Sequence, residues 1–300
     1  MFFNKLKAVA IMVMVGGTIA ATAAPIKIVT VNDNFASIAK SVGGDLVHVE
    51  SLVQGSRNMH NIQPKPSMVV KVRRADMIVR LGMSQDAWVD GLIQVARNPK
   101  LFLNASGYVD ASSRIKKLEV PTKDIDGSQG DIHKDGNPHY WLNPLNGIII
   151  ANHIRDQLIR VDPENKAAYQ KNAAQFEATI QKKMVGWNQR LTAVKSYQFL
   201  TYHKVWAYFF DAFDLSNGGT LELFPGVPPT IQHIQSLQTR LGTTYRPTIV
   251  LTAVYYPKKM GQRFANNTGG QFFHLATDVG SAGVTTYEGL FDYLIEELTK

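Results

Sequence analysis

Three of the eight histidines, His60, His139 and His203, stand in one kind of place: a loop just after a strand pattern or just before a helix pattern. Asp278, beyond the apolar run 272–276, stands in a fourth such loop. Three imidazoles and a carboxylate suit a four-coordinate zinc ion, and a shell completed by protein donors leaves no open position for an activated water. Such a site binds rather than catalyses. Each of these histidines alone reads as a surface or hydrogen-bonding residue, so the weight lies in their joint placement. His133, in a polar stretch just ahead of His139, reads as a transient metal contact or a solvated side chain. His48 falls in an alternating strand pattern, His153 and His233 inside helix patterns and His274 mid-strand, so these four read as structural.

Loops can bring such distant residues together only if the elements between them build a common crevice. Strand patterns at 26–31, 46–53, 77–81 and 101–105 alternate with helix patterns at 34–42, 67–74 and 86–96, which predicts a mostly parallel sheet covered by helices. Segment 124–138 is rich in turn pairs such as Asp135-Gly136 and Asn137-Pro138 and reads as an exposed loop. Asp162-Pro163 reads as an N-cap with proline at the first helical position, opening one helix over 163–191 that spans about 40 Å. The rhythm then resumes, with strands at 197–202, 248–253 and 272–276 and helices at 204–213, 230–241, 257–265 and 286–298. The expectation is an α/β protein of two lobes, each a mostly parallel sheet flanked by helices, joined by one long rigid helix. Its parts are 1–23 as signal peptide, 24–162 as first lobe, 163–192 as connecting helix and 193–300 as second lobe. In open parallel sheets ligands bind at the carboxyl ends of the strands, where all four loops lie.

The N-terminus carries Lys5 and Lys7, an apolar run over 8–19 and the small residues Ala21-Thr22-Ala23, the order of a secretory signal. The run is short of the roughly 20 apolar residues a membrane span needs. The chain has no cysteine, which excludes disulfides, thiolate metal sites, cysteine nucleophiles and a lipidated cysteine. Together these predict an exported periplasmic protein, freed by signal cleavage and not lipid-anchored. The formal charge of +8 is spread over separate pairs such as Arg73-Arg74 and Lys258-Lys259, so no nucleic-acid stripe is expected, and monomer is the default.

Three segments, 58–67 (NMHNIQPKPS), 136–144 (GNPHYWLNP) and 201–209 (TYHKVWAYF), together with 75–79 (ADMIV), Glu222, Pro225 and Pro228-Pro229, carry a family likeness. In order and spacing they resemble the metal-binding solute-binding proteins of zinc and manganese ABC importers, cluster A-I, zinc-uptake type. The resemblance covers nearly the whole chain. It implies two α/β lobes on a rigid helix, an ion held between them by His60, His139, His203 and Asp278, and delivery to an ABC permease in the inner membrane. Similar members with three histidines and one acid are associated mainly with zinc, those with a carboxylate in place of the third histidine with manganese. Zinc is therefore the implied cargo and manganese the alternative, in line with the imidazole-rich set. The chain departs from the pattern at Asn58-Met59, at Asn143 and at 275–280 (LATDVG), where acids or their spacing differ, so less acidic support around the ligands is expected.

Two other classes compete. A periplasmic zinc hydrolase would also use three histidines, but the chain has no His-Glu-x-x-His helix and no Gly-x-Ser-x-Gly elbow, and Glu222 is the one evident base. A two-lobe binder of small organic molecules would use Trp88, Trp141 and Trp206 as stacking platforms and leaves the placement of the histidines unexplained. Trp141 and Trp206 read as core wedges or as shields of the site. His203 is expected at a helix start, where the dipole keeps its ring neutral, and metal retention should weaken as pH falls toward the reference histidine pKa of about 6.5.

Overall fold

The computed structural model describes residues 24–55, 57–122 and 133–300. Segment 1–23 and most of the turn-rich loop lie outside the described residues. The first lobe is built from β1 (Ile26–Asn32), α1 (Asp33–Gly43), β2 (Val47–Val53), α2 (Pro66–Arg74), β3 (Met77–Arg80), α3 (Trp88–Ala96) and β4 (Tyr108–Asp110). Then α4 (Pro144–Val161) and the long α5 (Lys166–Leu191) lead to the second lobe. That lobe comprises β5 (Gln198–Thr201), α6 (Ala207–Phe213), β6 (Ser216–Thr220), α7 (Ile231–Gly242), β7 (Thr248–Ala253), α8 (Lys258–Thr268), β8 (Gln271–Leu275) and α9 (Tyr287–Leu298).

Both sheets are parallel throughout and share one order, β2-β1-β3-β4 and β6-β5-β7-β8. In each, the chain starts centrally, steps outward once and returns on the other side. That creates a switch point at the carboxyl ends of the central strands, where successive loops leave in opposite directions. The central strands are buried on both faces, with Ile28, Val29 and Val31 in β1 and Ile249, Val250 and Leu251 in β7, as a sheet covered by helices requires.

The two-lobe α/β architecture with its linking helix is as expected, with three local differences. The fourth strand of the first sheet is β4, not 101–105. Pro99 opens a 3₁₀ turn at Pro99–Leu101 that the Asn98 side chain caps, and Phe102 and Leu103 are exposed, so only Leu101 of that apolar run is core. The edge strand β6 (SNGGT) offers no apolar alternation to read. The connecting helix begins with a 3₁₀ turn at Pro163–Asn165, and Asp162 does not cap it; its carboxylate accepts from Asn165 Nδ2 at 2.8 Å and Tyr169 Oη at 2.6 Å.

The buried face of α5 is the stripe Tyr169, Ala173, Phe176, Ile180, Trp187 and Leu191, spaced three, four or seven apart as one helix face demands. Asn172 Nδ2 donates to the Val42 carbonyl of α1, while Trp187 Nε1 donates to Asp292 on α9. One helix thus grips both lobes. The larger apolar cluster runs from β1 and β3 through α4 and α5 to α9, and a smaller one lies under α7 and α8. At the centre of the larger one the Tyr287 hydroxyl lies 2.6 Å from the Trp141 carbonyl and 3.0 Å from that of Asn143. Gly147 on α4 makes room for that ring, since a Cβ there would come within 2.2 Å of it. Gly147→Ala gains about 1 kcal/mol of helix propensity but overpacks a fully buried ring, at about 1–3 kcal/mol or more. We expect a net loss of stability in chemical denaturation; a stabilised variant would show that the two lobes are not packed through Tyr287.

Candidate metal centre

His60 lies in the 3₁₀ turn Met59–Asn61 after β2, where the Asn58 side chain caps the turn by accepting from the His60 backbone N–H at 3.0 Å. His139 immediately precedes the 3₁₀ turn Tyr140–Leu142 that leads into α4. His203 follows β5 by two residues. The crevice between the lobes gathers all three, and one ring nitrogen of each lies within 4.8 Å of the others. A tetrahedral zinc ion would hold nitrogens about 3.3 Å apart, so little contraction separates this arrangement from a coordination triangle.

Hydrogen bonds fix two of the rings. Asn137 Oδ1 accepts from the His139 backbone N–H and faces His139 Nδ1, both at 3.0 Å, so Nδ1 carries the proton and Nε2 the lone pair. The Nδ2 of Asn137 is spent on the Glu119 carboxylate at 2.9 Å and the Lys204 carbonyl at 2.6 Å, which settles which way this amide points and ties the two sides of the crevice together. His203 Nδ1 meets Glu222 Oε2 at 2.6 Å, with both side chains buried. The carboxylate again fixes the ring and leaves Nε2 as the lone-pair nitrogen.

Burial holds His60 and His139 in the neutral form. Desolvation, then the neighbouring His203 and His133, bring the His60 pKa down to about 3. Fully enclosed His139 lies well below 6.5 for the same reason, with His203 and His60 adding to it. The reference value of 6.5 therefore does not describe these two rings. Nor does a helix start govern His203, because α6 begins only at Ala207; its orienting group is Glu222.

Asp278 does not join the trio. Its Oδ1 accepts from Asn34 Nδ2 and its Oδ2 from Thr277 Oγ1, both at 2.8 Å, so the buried carboxyl bridges the second lobe to α1. Burial pushes its pKa up to about 6, against the opposing pull of Thr277 and Asn34. The His133 ring lies beside that of His60, with centroids 5.2 Å apart. Three of the remaining histidines serve the fold: His233 Nε2 bonds the Thr220 carbonyl of β6, His274 Nε2 the Tyr256 carbonyl, and His153 approaches Ser113, while His48 is exposed on β2. Trp141 shields the site and wedges the core at once, 5.4 Å from His139 with its Nε1 on the Thr277 carbonyl, while Trp206 packs on Phe209. Neither is a stacking platform. The cavity over the histidines, lined among others by Glu119, His133, Asn137, Lys204 and Pro225, has a volume of about 50 Å³. That admits an ion with a water or two, far below the ~300 Å³ or more of organic-ligand pockets.

Residues 28–300 match the family described as zinc-uptake complex component A, periplasmic. The chain belongs to this family. The manganese ABC transporter substrate-binding lipoprotein PsaA of Streptococcus pneumoniae is 28% identical over 230 residues, 75% of this chain and 71% of PsaA. The zinc-binding lipoprotein AdcA of the same species is 26% identical over 228 residues, 76% of this chain but only 44% of AdcA, so the chain spans under half of that relative. In fold, a zinc-bound ZnuA deletion mutant superposes with a TM-score of 0.76 at 22% identity, covering 92% of this chain and 97% of the other. The chain is thus the metal-capturing solute-binding component of an ABC importer rather than an enzyme, with a divalent metal ion and a permease as partners. The expectation of a free, unanchored protein is overturned: PsaA, AdcA and the other streptococcal relatives matched are lipoproteins. The lack of cysteine excludes a lipid on a thiol and no other mode of anchoring.

The pKa shifts set an acid limit on the metal-free fold. His60 binds its proton at about pH 6.5 when unfolded but only near 3 when folded, so between those values the unfolded chain holds more protons and stability falls as pH falls. Asp278 acts oppositely, adding stability below about pH 4 that is lost as pH rises through 6, but it is one group against two histidines. We expect the melting temperature of the metal-free protein to drop between pH 6.5 and 4.5, and more steeply than in His60→Asn. Equal slopes would mean that His60 titrates normally in the fold.

Proposed function

We propose that this protein captures zinc, with manganese as the alternative cargo, and that His60, His139 and His203 are the ligands it offers to the ion. The observation that carries this reading is the convergence of three imidazole nitrogens within 4.8 Å, one of them backed by a carboxylate. A set dominated by three imidazole nitrogens suits zinc, whereas manganese favours a set richer in carboxylate and water oxygens. The relatives include both a manganese and a zinc protein, so donor chemistry is what separates the two cargoes here.

Asp278 is the fourth donor in this reading, releasing one oxygen from Asn34 or Thr277 to the ion. A buried carboxyl whose proton is held up to about 6 by desolvation gains much from a dication beside it. His133, which lines the cavity and lies with its ring beside that of His60, is in this reading the imidazole an entering ion meets first. The functional division we infer is a capture lobe at 24–162, a spacer at 163–192 and a second capture lobe at 193–300.

Calorimetric titration of the metal-stripped protein with zinc and with manganese tests this directly. We expect tight one-to-one zinc binding that a His60→Ala/His139→Ala/His203→Ala variant loses. Tighter manganese binding would replace the cargo, and absence of saturable binding by either ion would end the metal reading. Glu222→Gln keeps the shape but removes the charge behind His203, and should cost about 10–100-fold in zinc affinity. An unchanged affinity would reduce Glu222 to a packing role.

A further inference from the structure

The cavity over the histidines reaches solvent between exposed Glu119 on the first lobe and exposed Lys204 on the second. On the second-lobe side it is closed by Pro225, a buried member of the loop between β6 and α7. Around that proline the loop and the first residue of α7 turn large apolar side chains outward: Leu223 is 51% exposed, Phe224 37%, Val227 37% and Ile231 79%. On the opposite rim, next to Glu119, Val120 is 49% exposed. Such a concentration of apolar surface beside a polar opening marks an interaction site. An ion leaving this cavity must pass the rim, so the partner that receives it must cover the rim without passing the ion through open water. The apolar residues flank Pro225, which lines that cavity, and Val120 adds one on the other lobe, which fits a partner seated across the crevice.

The same loop is wired to the site. Glu222 Oε2 accepts from the Gly226 N–H at 3.1 Å and also holds His203 Nδ1 at 2.6 Å. Moving residues 223–227 therefore moves the carboxylate that orients a proposed ligand.

We propose that the exposed apolar loop 223–231 is the surface on which the importer's permease docks, and that Glu222 transmits docking to His203 and so promotes release of the ion. This rests on the reading of His203 as a ligand. The partner is a permease rather than a second copy of this chain because the loop rims the ion's exit, which a second copy would block.

The test uses the zinc-loaded full chain with the importer's permease in lipid nanodiscs. A Leu223→Ser/Phe224→Ser/Ile231→Ser variant should bind the permease at least tenfold more weakly and lose permease-accelerated zinc transfer to a fluorescent chelator. Its calorimetric zinc affinity and spontaneous release rate should stay within twofold of the unaltered protein. Because the chain has no cysteine, Phe224→Cys carrying a photoreactive maleimide supplies an independent readout, with exposed Val185→Cys on α5 as control. Cross-linking of the permease from position 224 and not from 185 is the expected result. Unchanged permease binding in the triple variant, a lost zinc affinity, or a self-dimer in sedimentation that the variant abolishes would each overturn the docking surface. Absence of zinc binding in the unaltered protein would instead overturn the reading of the site.

Discussion

His60 and His139, with ring centroids 5.9 Å apart in a buried crevice and His203 beside both, can share it only uncharged. At an effective dielectric constant of roughly 20, two imidazolium ions at that spacing repel by about 3 kcal/mol, and desolvation adds to the penalty. The fold therefore holds at least two of the rings neutral far below the usual histidine range. A cluster of neutral imidazoles that has already given up its water is the state a dication stabilises, since binding needs no prior deprotonation at ordinary pH. The hydrogen bonds to Asn137 and Glu222 complete this arrangement by choosing the protonated nitrogen and freeing the other.

That spacing also requires the lobes to keep a fixed relation, because His60 and His139 come from one side and His203 from the other. The fixing is done by buried polar contacts rather than by the apolar core alone. Asn34 donates to Asp278 and accepts from the Val279 N–H, Trp141 donates to the Thr277 carbonyl, and the Tyr287 N–H donates to Ser37 Oγ. Breaking any of these in place leaves a desolvated polar group, at about 1–3 kcal/mol each. The loop after β8 is thus stapled to α1, and α5 clamps both lobes along its length. The small cavity and the stapled interface have one origin, two switch points facing each other at close range.

Much of this was legible in the sequence because it depends on local pattern. The β-α rhythm located six of the eight strands among the described residues, and the three histidines stood out by lying in loops just after a strand pattern or just before a helix pattern. What was not legible depends on pairing. Glu222 follows β6, a strand of Ser, Asn, Gly and Thr held by its neighbour rather than by its own apolar face, so nothing marked the acid as facing His203. Asn137 sits in Gly136-Asn137-Pro138, which reads as turn punctuation, yet its amide makes four contacts that organise the site. The position of Asp278 is set by Asn34, 244 residues away in sequence, and no spacing rule reaches that far. The apolar run 101–105 misled because the pattern could not show that Pro99 would turn the chain and leave Phe102 and Leu103 outside.

The lobes do not contribute equally. The first supplies His60 and His139, the latter oriented by the neutral amide of Asn137; the second supplies His203, oriented by the buried carboxylate of Glu222. Of the two orienting groups, Glu222 is the one tied to the loop that begins at the next residue, since the same oxygen that meets His203 also accepts from the Gly226 N–H. Glu222 lies outside the stapled interface. In the reading of the three rings as ligands, the hold on His203 therefore changes with that loop and without any parting of the two lobes.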